Sequence, residues 1–140
     1  MEWLKPKAPV KEVDELYMYF VVNRDLEMGC GKIGAQCAHA VQLALLEEKR
    51  LRKIKDKSAT ETNILLRMEY WCDRRLNAGF NKIVLGADKK EWLYIKEVYN
   101  PITVADAGRT EVAPGSETVM ILWPMFKNER CKTLSRMRLL

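Results

Sequence analysis

Histidine is nearly missing from this sequence: His39 is the only one in 140 residues. No serine stands in a GxSxG setting either, and the two absences together argue against a Ser-His-Asp hydrolase. No apolar run approaches the ~20 residues that a membrane-crossing helix needs. The opening MEWLKPKAPVKEVDE alternates charge with proline and lacks the apolar core of a signal peptide. The four cysteines, Cys30, Cys37, Cys72 and Cys131, form no CxxC pair, so free thiols in a reducing compartment are expected. Cys30, Cys37 and His39 match no usual zinc spacing, and no metal site is expected. There is no internal repeat and no low-complexity tract.

What is present fits one domain. A chain of this length supports one core, and a 48% hydrophobic share with 31% charged residues belongs to a globular protein. Residues 1–14 read as a loose arm and 15–140 as a single domain. The net charge of +5 is uneven. The last fifteen residues, FKNERCKTLSRMRLL, hold Lys127, Arg130, Lys132, Arg136 and Arg138 against Glu129 alone. That tail is either a solvated helix face or a surface for a polyanion.

LYMYFVV (16–22) is a continuous apolar, aromatic and β-branched run, which predicts a buried strand. From Lys32 the pattern turns helical. Ile33, Cys37, Ala40, Val41, Ala44 and Leu45 recur at three and four residues, giving one apolar stripe. Ser58-x-x-Glu61 has capping-box spacing and opens a second helix expected to stop at Asn77-Ala78-Gly79. NKIVLG (81–86) is a second strand, and Asp88-x-x-Glu91 opens a short helix ended by Asn100-Pro101. ITVA (102–105) and ETVMILW (117–123) are further strands, and the tail after Pro124 is expected to be helical. Trp71, Trp92, Tyr94 and Tyr99 read as core or seam residues. The order β-α-α-β-α-β-β-α predicts a three-layer α/β sandwich with a mixed sheet of about four strands. The helical crossovers allow parallel neighbours, and the Pro-Gly link between strands 3 and 4 favours antiparallel pairing.

Two loops carry an unusual polar load. In MGCGKIGAQCAHA (28–40) glycines allow close backbone approach, and a helix start with Lys32 could hold a phosphate or carboxylate. Lys32, Gln36, His39 and Leu43 follow at four, three and four residues, so the polar three share one helix face. They either satisfy backbone at a helix–sheet seam or face a ligand. In DAGRTEVAPGS (106–116) Gly108 and the Pro114-Gly115 turn are explained by folding alone. Asp106, Arg109, Thr110, Ser116 and Thr118 together exceed what a turn needs. An aspartate beside hydroxyls can orient a water or take its proton, and an arginine can grip phosphate.

These stretches also carry a resemblance. LYMYFVVNRDLEMGCGKIGAQCAHAV resembles the N-terminal signature of the peptidyl-tRNA hydrolase 2 family, an apolar strand followed by RxDLxMGKGKxAAQxxHA. DAGRTEVAPGSETV is similar to that family's second signature, DAGxTxxxPGSxTV. The resemblance implies hydrolysis of the ester joining a peptide to the 3′ end of tRNA. It further implies a cytoplasmic homodimer that needs no metal or other cofactor, with peptidyl-tRNA as its partner. By position it implies catalytic roles for Lys32, Asp106, Thr110 and Thr118. Gly31, Gln36, His39, Arg109 and Ser116 fall around them as substrate-binding residues. Cys30 stands where the family usually has lysine. The alternative is a non-catalytic RNA- or protein-binding module on the same fold.

Overall fold

A computed structural model describes residues 15–75, 79–109 and 111–140. The expected arm at 1–14, the helix stop at Asn77 and Ala78, and Thr110 therefore lie outside the described residues.

The organising element is β1, Leu16–Asn23. Its apolar run does not alternate because neither face meets water. Leu16, Met18, Phe20 and Val22 enter one core, and Tyr17, Tyr19 and Val21 enter another on the opposite face. Helices α1 (Cys30–Arg52) and α2 (Ala59–Cys72) cover the first. Helix α3 (Lys89–Tyr99) and the short α4 (Lys132–Arg136) cover the second. The result is a three-layer sandwich, as the element order predicts.

The remaining strands are β2 (Lys82–Ala87), β3 (Ile102–Ala105), β4 (Glu117–Ile121), β5 (Met125–Phe126) and β6 (Arg138–Leu139). The sheet runs β3-β4-β1-β2-β6, with β5 pairing the start of β1. β1 and β2 are parallel, as their two-helix crossover allows. β3 and β4 are antiparallel, as the Pro-Gly link predicts.

Local chemistry sets the boundaries. Ser58 and Glu61 form a reciprocal capping box on α2, with N–H to Oγ and N–H to Oε1 bonds of 3.1 and 2.8 Å. Asp88 and Glu91 do the same for α3, at 2.8 and 3.0 Å. Asn100 closes α3 in the left-handed region, φ 44°.

Five expectations are corrected. The sheet has six strands, not about four, because two-residue β6 adds to the β2 edge and two-residue β5 pairs the start of the central β1. The tail is not one helix. Met125, Leu134 and Met137 all enter the second core, and one straight helix face cannot deliver them beside β6's pairing with β2. Helix α2 ends at Cys72, ahead of the expected stop. Leu45 leaves the expected apolar stripe and Tyr94 leaves the seam, being 48% and 46% exposed.

Ile95 is fully buried at the centre of the α3 core. Ile95→Ala should cost about 2–5 kcal/mol through lost burial and the cavity left behind. A lower urea midpoint at unchanged slope is the expected reading.

Candidate active site

The fold brings the start of α1 over the β3–β4 connection. Small Ala40 and Ala44, fully buried, let α1 lie close against β3 and β4. Asp106 leaves the end of β3, where a register irregularity separates Val104 from Ala105. Its N–H donates to the Ser116 carbonyl at 2.9 Å, and its carbonyl accepts from Gly115 N–H at 2.8 Å. Ser116 N–H closes the Pro114-Gly115 turn onto the Ala113 carbonyl at 3.1 Å, with Gly115 at φ 82°. Gly108 sits at φ 76°, and a Cβ there would stand 2.5 Å from Pro114, so the loop closes on itself only with glycine.

Side chains complete the arrangement. Lys32 Nζ donates to Asp106 Oδ1 at 2.6 Å, and Gln36 Nε2 donates to the same oxygen at 3.3 Å. Oδ2 accepts from Gly108 N–H at 2.7 Å. A carboxylate only accepts, so the Gln36 amide must turn its NH2 to Asp106 and its oxygen to Thr118. The Thr118 hydroxyl duly donates to Gln36 Oε1 at 2.7 Å, with the Val104 carbonyl 3.3 Å away. The Lys32 and Asp106 side chains are 10% and 7% exposed. The Lys32 hydrogen bond, followed by that from Gly108, holds the Asp106 carboxyl below the usual carboxylate range.

The site residues expected from sequence separate by depth. Gly31, Lys32, Gln36, His39, Asp106 and Arg109 line one cleft of about 590 Å³. Gln36 is buried at its floor, whereas His39 and Arg109 are exposed. Thr118 is fully buried beneath Gln36 and does not line the cleft. Ser116 stands off the lining too and holds Asp106 through its backbone.

One lining residue escaped sequence reasoning. Glu111 Oε2 accepts from Gly29 N–H at 2.7 Å, so the chain's own carboxylate meets the α1 start. The open N–H groups expected there for a substrate anion are thus partly engaged. An acid in the loop opposite an uncapped, glycine-led helix was the available signal. Cys37 packs against the first core, where burial pushes its thiol pKa up. Among the described residues no three His, Cys, Asp or Glu side chains group as a metal site.

Thr118→Val removes the donor that satisfies Gln36 Oε1. The buried amide oxygen is left unpaired, and about 1–3 kcal/mol of stability should be lost. Val119→Ile on the same strand, which leaves the hydrogen bond intact, is the comparison in urea unfolding.

Asp106 also makes a pH signature. Folding favours its ionised form, so its stabilisation is complete above the ordinary carboxylate pKa and lost as pH falls through the lower folded value. Asp106→Asn should therefore flatten the stability profile below about pH 4 and leave its shape above that unchanged. Chemical unfolding across pH reads the difference.

Comparison with known proteins follows the same residues. Residues 16–140 match the family model described as Peptidyl-tRNA hydrolase PTH2. The chain is 33% identical over 119 residues to "Peptidyl-tRNA hydrolase 2, mitochondrial" of Bos taurus, covering 81% of this chain and 58% of that protein. It is 36% identical over 116 residues to "Peptidyl-tRNA hydrolase 2" of Saccharomyces cerevisiae, covering 79% and 51%. With "Peptidyl-tRNA hydrolase" of Methanococcus vannielii it shares 28% over 128 residues, covering 86% and 95%. The chain thus spans little more than half the length of the bovine and yeast relatives and nearly all of the archaeal one.

Proposed function

The chain belongs to the peptidyl-tRNA hydrolase PTH2 family, and on that premise we propose that it hydrolyses the ester between a peptide and the 3′ end of tRNA. The observation that carries the reading is the 2.6 Å Lys32–Asp106 ion pair, lining an open cleft between α1 and the β3–β4 loop. An acyl ester of ribose is already reactive. Positioning a water and stabilising the developing oxyanion supply what the reaction lacks.

Lys32 has three N–H groups and gives one to Asp106. The others serve the carbonyl oxygen as it gains charge. Asp106, held ionised, is a weak base and works by accepting a hydrogen bond from the attacking water and fixing Lys32. Water oxygen adds to the carbonyl carbon, and negative charge moves to the carbonyl oxygen. Collapse breaks the bond to the ribose oxygen, which takes the proton that the attacking water gives up, so that free tRNA leaves with its hydroxyl restored and the peptide leaves as an acid. Gln36 and the buried Thr118 hold Asp106 in place, and the position of Thr110 beside Asp106 in the signature supports a role in binding the same water. Gly31 and His39 bound the acyl side of the cleft.

Arg109 at the cleft rim suits the terminal phosphate. Arg24, Lys89 and Lys90 follow the C-terminal ends of β1 and β2, and Arg138 pairs with Gly86 at the same end of the sheet. These cations are the track assigned to the tRNA backbone. Lys127 stacks on Tyr17 near the other end of β1, so the basic tail is not one surface. No helix among the described residues is long and apolar enough to cross a membrane. A cytoplasmic location and a homodimer complete the proposal, supported by the sequence resemblance alone.

Lys32→Ala and Asp106→Asn should each lower kcat on peptidyl-tRNA by about 10²–10³-fold. The wild-type KM should rise steeply with salt as phosphate contacts are screened. Unchanged turnover in both variants overturns the assignments. No cleavage by the wild type at any salt, with tRNA still bound, favours a binding module instead.

A further inference from the structure

The helix face that carries Lys32, Gln36 and His39 does not end with the cleft. It continues as Leu43 and Leu46, and beside them Leu45 is also turned outward. These leucines are 39%, 64% and 48% exposed in that order, an unusual cost for one helix of a small protein. With Val104 and Ala105 of β3 they border a groove of about 670 Å³. His39 and Ala105 line both this groove and the polar cleft, so the two form one depression. β3 lies at the sheet edge and, among the described strands, pairs only with β4. Its outer main-chain groups are thus available to an extended chain.

The proposed substrate has two unlike halves. Its tRNA half is a polyanion, suited to Arg109 and the cations along the end of the sheet. Its acyl half alone carries apolar side chains together with main-chain donors and acceptors. An ester carbonyl held at Lys32 and Asp106, with ribose on the Arg109 side, sends the acyl chain past His39 into the groove. From His39 to Leu46 is seven helical residues, about 10 Å of rise, the length of about three extended residues.

We infer that the α1–β3 groove is the peptide subsite, binding about three residues on the acyl side of the ester and favouring apolar side chains. This inference rests on the peptidyl-tRNA reading of the cleft. The leucines supply contact area, and the β3 edge supplies sequence-independent hydrogen bonds.

The test compares kcat/KM for N-acetyl-trileucyl-tRNA and N-acetyl-triglycyl-tRNA. The wild type should prefer the leucyl substrate by about tenfold, the scale of a modest apolar pocket. In the double variant Leu43→Ser, Leu46→Ser that ratio should fall close to one, through loss on the leucyl substrate. Leu46→Lys, at the most exposed of the three positions, should lower the ratio without disturbing the circular-dichroism melt. A wild-type ratio near one, or a ratio preserved in both variants, overturns the subsite while leaving the hydrolase reading intact. Equal loss on both substrates with a fall in molar mass by light scattering assigns the face to contact between copies and overturns it too. Failure of the wild type to cleave either substrate removes the hydrolase reading itself, and the subsite with it.

Discussion

Strand β1 meets no water on either face, and the architecture follows from satisfying it. Its even-numbered residues need one helical layer and its odd-numbered residues another. With both faces claimed, its backbone must find partners in the sheet plane. It takes β2 in parallel, which needs a long crossover, and β4 in antiparallel, which needs none. The crossover is α1 and α2. Starting just past the end of β1, α1 crosses over β4 and β3, so its first turns overlook whatever connects those strands. The cleft is therefore a consequence of topology before it is one of side chains.

What the side chains add is a closed set of hydrogen bonds around a charge. A mostly buried ion pair is costly unless its remaining donors and acceptors are met. Asp106 has Lys32 and Gln36 on one oxygen and Gly108 on the other, and Gln36 in turn is fixed by Thr118. Every orientation in that chain is dictated by the one before it. The carboxylate is kept ionised, so Asp106 offers the cleft a fixed charge and not a group that trades protons near neutrality. Glu111 on Gly29 N–H extends the same logic to the helix start, where a carboxylate meets the positive end of α1.

Sequence reading recovered what local rules determine. The two capping boxes, the Pro114-Gly115 turn, the uninterrupted β1 and the shared face of Lys32, Gln36 and His39 all follow from spacing within a few residues. It lost what distant partners determine. Periodicity placed Leu45 with Ala44 and Val41, because a stripe cannot report how wide the sheet beneath it is. The tail was read as helical because β6 exists only where Arg138 and Leu139 meet the edge of β2. The sequence groups Thr118 with the loop hydroxyls Thr110 and Ser116 as a candidate catalytic residue, because adjacency in a motif says nothing of depth, and the structure buries it completely. Its partner Gln36 lies 82 residues away in sequence.

Charge shows the same limit with a length attached. A net charge of +5 and a basic tail leave open one polyanion-binding surface or a solvated helix face. The tail instead turns back on itself, leaving Lys127 at Tyr17 near the start of β1 and Arg138 at the register of Gly86 beside its end. Five residues of strand separate those levels, roughly 16 Å at about 3.3 Å each. That exceeds the screening length of about 8 Å at physiological salt. Cations at the two ends therefore act as separate fields. Among the described residues Arg24, Lys89, Lys90, Arg109 and Arg138 share an end of the sheet with Lys32 and Asp106, as does Lys96, which is paired with Glu117. The field felt by a ligand in the cleft depends on that local set and on the acids at the same end, Asp25, Glu27, Glu111 and Glu117, far more than on the total.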